Sequence, residues 1–147
     1  MTEKILELPK CAGELMTTKV VTLYPDRLFR EAVDLMAKNS SHHLVVVERN
    51  GCLAGIISDR DVLAAANDYD SDTTTVADIM TSDPLTVNPE TPLSEVATLT
   101  LERRFNCFPV VNDAGKVVGI LTTTDLLRAF QKLQHLVETS KKVGAGA

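Results

Sequence analysis

The chain has 147 residues, 44% of them hydrophobic and 24% charged, with a formal net charge of −5. That suffices for one compact core or two small, intimately packed units, and the composition is that of a globular protein. The acidic balance argues against nucleic acid as the main partner, and no apolar run approaches the roughly 20 residues that span a bilayer, which argues against a membrane. The three cysteines, Cys11, Cys52 and Cys107, are odd in number and widely spaced, with no CxxC. They read as reduced thiols rather than a disulfide framework or metal site, and the N-terminus lacks the apolar stretch of a secretion signal. A cytoplasmic location is expected.

Taken in chain order, Val20–Tyr24 is a β-favouring stretch closed by Pro25. A helix follows, with Asp26 as its cap and Leu28, Ala32, Leu35 and Met36 as an apolar stripe. Leu44–Glu48 and Cys52–Ile57 flank Asn50-Gly51 and read as a hairpin. Arg60–Ala66 is a second helix, and Asn67–Thr75, rich in Asp, Ser and Thr, a linker. The grammar then recurs: a strand at Leu85–Asn88, then a helix capped by Thr91 with Pro92 in its first position. A hairpin of Phe108–Val111 and Lys116–Leu121 is followed by a helix over Asp125–Leu136, and Ser140–Ala147 reads as a frayed end. The order is β-α-β-β-α, twice.

Sliding the sequence by 64 positions lays Glu14–Ala66 on Asp78–Phe130 without a gap. Met16-Thr17 meets Met80-Thr81, Pro25 meets Pro89, Gly51 meets Gly115, Gly55-Ile56 meets Gly119-Ile120, and Asp61 meets Asp125. Matching glycines, prolines and acids exclude a coincidence of hydrophobic pattern. One copy would have a marginal core, so the pair, packed sheet against sheet, is the expected folding unit.

Four features recur in register: Glu14–Thr17 with Asp78–Thr81, Thr22–Pro25 with Thr86–Pro89, Leu44–Val47 with Phe108–Val111, and Gly55–Asp61 with Gly119–Asp125. Together they resemble the cystathionine β-synthase (CBS) domain family. The resemblance implies an α/β (α+β) fold of two β-α-β-β-α repeats, packed sheet to sheet as a pseudo-twofold disc. The repeats would span residues 8–70 and 71–136, with residues 137–147 as a flexible tail. It also implies clefts that hold AMP, ADP, ATP or a related adenosyl ligand, and association into a homodimer. No catalytic site and no required cofactor are expected, and the output would run through a separate effector protein.

Ser58-x-x-Asp61 and Thr122-x-x-Asp125 are the sharpest site candidates. A carboxylate accepts from both hydroxyls of a ribose, and a hydroxyl at a helix start lies where a phosphate is favoured. The same spacing is also that of a capping box. In the resembled family these positions contact ribose and phosphate. His42 and His43 fall where that family often places basic residues that reach phosphates, whereas Asn106 and Cys107 replace them in copy two. Arg103 and Arg104 lie close by but out of register, and Arg60, a cation at a helix start, is a further phosphate candidate. Val21, Thr22 and Leu44, with Thr86, Val87, Phe108 and Pro109, are candidate walls for an adenine. Val45 stands where the family often has the proline found at Pro109.

No spacing of Cys or His suggests a nucleophile with its base, and there is no GxxxxGK loop. The chain therefore reads as a module that binds an adenine nucleotide between its repeats and transmits energy state to another protein. The alternative is a ligand-free dimerisation or adaptor module in which the Ser/Thr-x-x-Asp pairs serve only as caps.

Overall fold

β-branched and aromatic residues at Leu44–Val47 and Phe108–Val111 fit a pleated, buried surface, and each run becomes the central strand of its copy. The computed structural model describes residues 8–70 and 72–146, with side-chain surroundings as far as Ser140. Copy one comprises α1 (Ala12–Leu15), β1 (Thr22–Leu23), α2 (Phe29–Asn39), β2 (His43–Val47), β3 (Leu53–Ser58) and α3 (Asp59–Ala65). Copy two comprises α4 (Val76–Ile79), β4 (Thr81–Ser82), α5 (Leu93–Arg103), β5 (Cys107–Val111), β6 (Val117–Thr122) and α6 (Thr123–Gly146). β2 and β3 are antiparallel, as are β5 and β6. Gly51 and Gly115 supply the positive φ of the two hairpin turns, at 89° and 79°. β1 runs parallel to β2, but the expected strand at Leu85–Asn88 is reduced to one parallel bridge, Val87 to Val110.

Three local expectations shift. Asp26 does not cap α2: its carboxylate pairs with Arg49 at 2.9 Å, while the Leu28 N–H at the helix start donates to Glu31 at 2.8 Å. Pro92 is the N-cap of α5 rather than its first residue, because the Thr91 hydroxyl accepts from the Asn88 N–H at 2.9 Å and closes a turn ahead of the helix. α6 continues beyond Leu136 to Gly146, where a loose tail was expected. Leu, Gln, Lys and Glu are good helix formers, and neither Gly nor Pro interrupts the run before Gly144. Ala147 lies outside the described residues.

The two copies exchange their leading segments. Thr81 and Ser82 pair with Ile56 and Gly55 of copy one, and Thr17 pairs with Ile120 of copy two. The cores follow the same exchange. Val76 of α4 is buried with Leu23, Ala32, Met36, Leu44, Val46 and Ile57, whereas Ala12 of α1 is buried with Val87, Val96, Phe108, Val110 and Leu121. Gly55 permits one crossing: a Cβ there would fall 2.7 Å from both Met80 Sδ and the Thr81 carbonyl oxygen. Gly119 permits the other, beneath Met16. The hairpin tips meet across the pseudo-twofold axis, where the Leu53 N–H donates to the Gly115 carbonyl at 3.3 Å and the Val117 N–H to the Gly51 carbonyl at 3.2 Å. Neither core closes without the other copy. Among the described residues no helix is long and apolar enough to cross a membrane.

Candidate functional site

The exchanged segments and the starts of α3 and α6 enclose an open cleft of about 820 Å³ lined by both copies. In copy one, the parallel pairing of β1 with β2 and the antiparallel pairing of His43 with Ser58 set Val20, Val21, His43 and Ser58 side by side at its wall. Copy two repeats the arrangement with Pro84, Leu85, Cys107 and Thr122.

Ser58, Asp61, Thr122 and Asp125 all line the cleft, and both pairs are complete capping boxes. The Asp61 N–H donates to Ser58 Oγ at 3.2 Å, and Asp61 Oδ2 accepts from the Ser58 N–H at 2.8 Å. The Asp125 N–H donates to Thr122 Oγ1 at 3.3 Å, and Asp125 Oδ2 accepts from the Thr122 N–H at 2.9 Å and its hydroxyl at 3.1 Å. Capping engages Oδ2 of each aspartate and leaves Oδ1 outside the capping bonds. Asp125 is only 7% exposed.

His42 and His43 also line the cleft, with different characters. His42 is exposed, with Nδ1 3.0 Å from Asp59 Oδ2. That hydrogen bond holds the Asp59 carboxyl below its usual range. Burial lowers the pKa of His43, with Asp59 opposing the shift, so its ring is neutral near pH 7. Cys107 occupies the matching position, and burial pushes its thiol up to about 12. Neither position supplies a standing cation. The two histidines do not end a helix, since α2 stops at Asn39 and Ser40 turns the chain with φ 50°.

Arg60 lines the cleft and has no ion-pair partner among the described residues, although Asp59 and Asp61 flank it in sequence. Of the expected adenine walls, Val21 alone lies in the cleft. Leu44, Phe108 and Pro109 are fully buried in the central strands, and the side chains of Leu44 and Phe108 belong to the two cores. Thr22 faces away from the cleft on the exposed side of β1, and Thr86 and Val87 line a separate hollow of about 200 Å³. The apolar surfaces present in the cleft are instead Val20, Val21, Ile56, Leu85, Phe105 and Ile120.

Lys19 and Arg128, which no motif marks, and Arg104, which lies out of register with the histidine pair, all line the cleft without an ion pair among the described residues. The turn after α5 brings Arg104 to the same wall. Arg128 follows Asp125 by one helical turn, a spacing that marks a shared face. Among the described residues no group of His, Cys, Asp and Glu could hold a metal ion.

The sequence model described as the CBS domain matches residues 12–68 and 76–132. Inosine-5′-monophosphate dehydrogenase of Nitrosopumilus maritimus is 30% identical over 117 residues, which cover 80% of this chain and 24% of that protein. The chain thus spans about a quarter of that relative's length. The solved structure of CBSX2 in complex with AMP, a protein of Arabidopsis thaliana, is 31% identical with a TM-score of 0.77 and covers 86% of this chain and 99% of that one. The cytosolic domain of the Mg2+ channel MgtE in complex with ATP is also 31% identical, with a TM-score of 0.72, covering 81% of this chain and 48% of that one. The chain belongs to the CBS-domain family, and its two domains stand in tandem.

Proposed function

We propose that this CBS pair is a regulatory module that binds an adenine nucleotide, AMP, ADP or ATP, in the cleft between its repeats and passes the energy state to a separate effector protein. The observation that carries this reading is the convergence on one cleft of both hydroxyl–aspartate pairs and of Lys19, Arg60, Arg104 and Arg128, four long cations without an ion pair among the described residues. Asp59, Asp61, Asp83 and Asp125 line the same cleft, so its formal charge is balanced, whereas the chain as a whole carries −5. About 820 Å³ is in the range of small-molecule sites. The structures of similar proteins with AMP and with ATP support the ligand class.

Asp61 and Asp125 take the ribose hydroxyls, the cations and the starts of α3 and α6 take the phosphates, and the apolar lining takes the base. Because the cleft wall is shared by the exchanged segments at Thr17 and Thr81, a ligand that binds two arrangements of the copies unequally shifts the balance between them. No catalytic step is proposed. The reading extends to a homodimer: Leu63 on α3 and Leu127 on α6, equivalent in the repeat, are 74% and 62% exposed, and Phe130, one helical turn after Leu127, is 58% exposed.

A ligand-free adaptor is the second reading. It is favoured by one observation, that both capping boxes are satisfied by protein groups alone. Isothermal titration with AMP, ADP, ATP and S-adenosylmethionine, with GTP as control, separates the two. Saturable binding of an adenosyl ligand, weakened by Asp61→Ala or Asp125→Ala, is the expected result. Absence of heat at millimolar ligand, with an unchanged melting temperature, would establish the adaptor.

A further inference from the structure

The side chains of Arg104, Phe105 and Arg128 have no counterparts in copy one, where Ser40, Ser41 and Ala64 occupy the equivalent positions. We infer that Arg104 and Arg128, both contributed by copy two, form a phosphate clamp in the cleft, which selects adenine nucleotides by their number of phosphates. The inference rests on the nucleotide reading of this cleft.

Arg104 follows α5 in the left-handed conformation, with φ 59° and its N–H bonded to the Thr100 carbonyl at 2.9 Å. Ser40 makes the same turn with φ 50°, so the turn belongs to the fold and only the side chain it carries is special to copy two. Arg128 lies one helical turn beyond Asp125 on α6, and both line the cleft. Asp83 and Asp125 line the same cleft, yet neither arginine forms an ion pair with them. Oδ2 of Asp125 is committed to Thr122. Two uncommitted guanidinium forks match the oxygens of a polyphosphate, and each donates in a fixed plane that an ammonium lacks.

Phe105, adjacent to Arg104 and 45% exposed, adds an aromatic face on the same wall for the base.

The test is titration of ATP, AMP and adenosine into the full chain, its Arg104→Gln and Arg128→Gln variants, and a Lys19→Gln/Arg60→Gln contrast, with thermal melts of each. Each of the two arginine variants is expected to lose about tenfold or more in ATP affinity. AMP should lose less and adenosine nothing, with melting unchanged, so the ATP-to-AMP affinity ratio falls. An unchanged ratio, or equal losses for ATP and adenosine, overturns the clamp. Loss of ATP selectivity in the Lys19→Gln/Arg60→Gln contrast alone overturns the clamp and leaves the nucleotide reading standing. Failure of the unaltered chain to bind any of the three overturns both.

Discussion

Copy one contributes Lys19, His42 and Arg60 to the cleft as groups able to carry positive charge; at the equivalent positions copy two contributes Asp83, Asn106 and Thr124. Copy two draws its cations from Arg104 and Arg128, whose equivalents in copy one are Ser40 and Ala64. The backbone frame is common: both copies use a capping box, a left-handed turn after the first long helix and an antiparallel hairpin. The difference teaches that a repeat conserves what positions a site more strictly than the charges that fill it. Charge can be supplied from any element that reaches the cleft, whereas the strand-to-helix corner can be built in few ways.

The comparison can be pressed first at the cores. Phe108→Ala should cost about 3–5 kcal/mol and Leu44→Ala, at the equivalent buried position, about 2–5 kcal/mol, read by urea denaturation. Because Val76 and Ala12 complete each other's cores, each variant should still unfold in a single transition. Two separate transitions would show that the copies are independent after all.

The strand crossings give the next effect. Gly55→Ala forces a Cβ to 2.7 Å from the Thr81 carbonyl oxygen, a backbone atom, whereas Gly119→Ala meets the Thr17 carbonyl at 3.1 Å and otherwise the flexible end of Met16. Both should destabilise by about 1–3 kcal/mol, with Gly55→Ala the larger. A reversed order would mean that the copy-one crossing yields more readily than its geometry allows.

Cap removal follows. Asp61→Ala and Asp125→Ala should each lower stability by about 1 kcal/mol in thermal melts without ligand. Asp125→Ala should cost more, since its buried carboxylate accepts two hydrogen bonds from Thr122 while Asp61 accepts one from Ser58.

The smallest effect concerns pH. His43 has a folded-state pKa below its ordinary 6.5, so as pH falls through that value the unfolded chain takes up the proton first. The stability it supports is whole above that value and declines below it. Asp59, also lowered, acts in the same direction at more acidic pH. Cys107 at the equivalent position stays a neutral thiol throughout. His43→Gln should therefore flatten the fall in melting temperature between about pH 7 and pH 5.5, while Cys107→Ser should leave its slope unchanged.

Much of the site's frame was legible in the sequence. The positions of Ser58, Asp61, Thr122 and Asp125 follow from the repeat, and all four line the cleft. The adenine walls were less legible. Leu44 and Phe108 have the residue types of a ligand pocket and of a core alike, and packing alone assigns them to the core. Arg104 is not marked by the repeat register, because a left-handed turn after a helix places its side chain at a wall that register does not predict.

The sequence by itself determined the doubled β-α-β-β-α order, the turns at Gly51 and Gly115, and the two capping corners, because these depend on local periodicity and on backbone conformations that few residues adopt. Only the tertiary structure decided that α1 completes the second core and α4 the first, and that Met16 and Met80 cross over Gly119 and Gly55. It also decided which side chains meet in the cleft. An edge strand pairs equally well, by its backbone, with either sheet, so its partner is chosen by the packing of the whole chain.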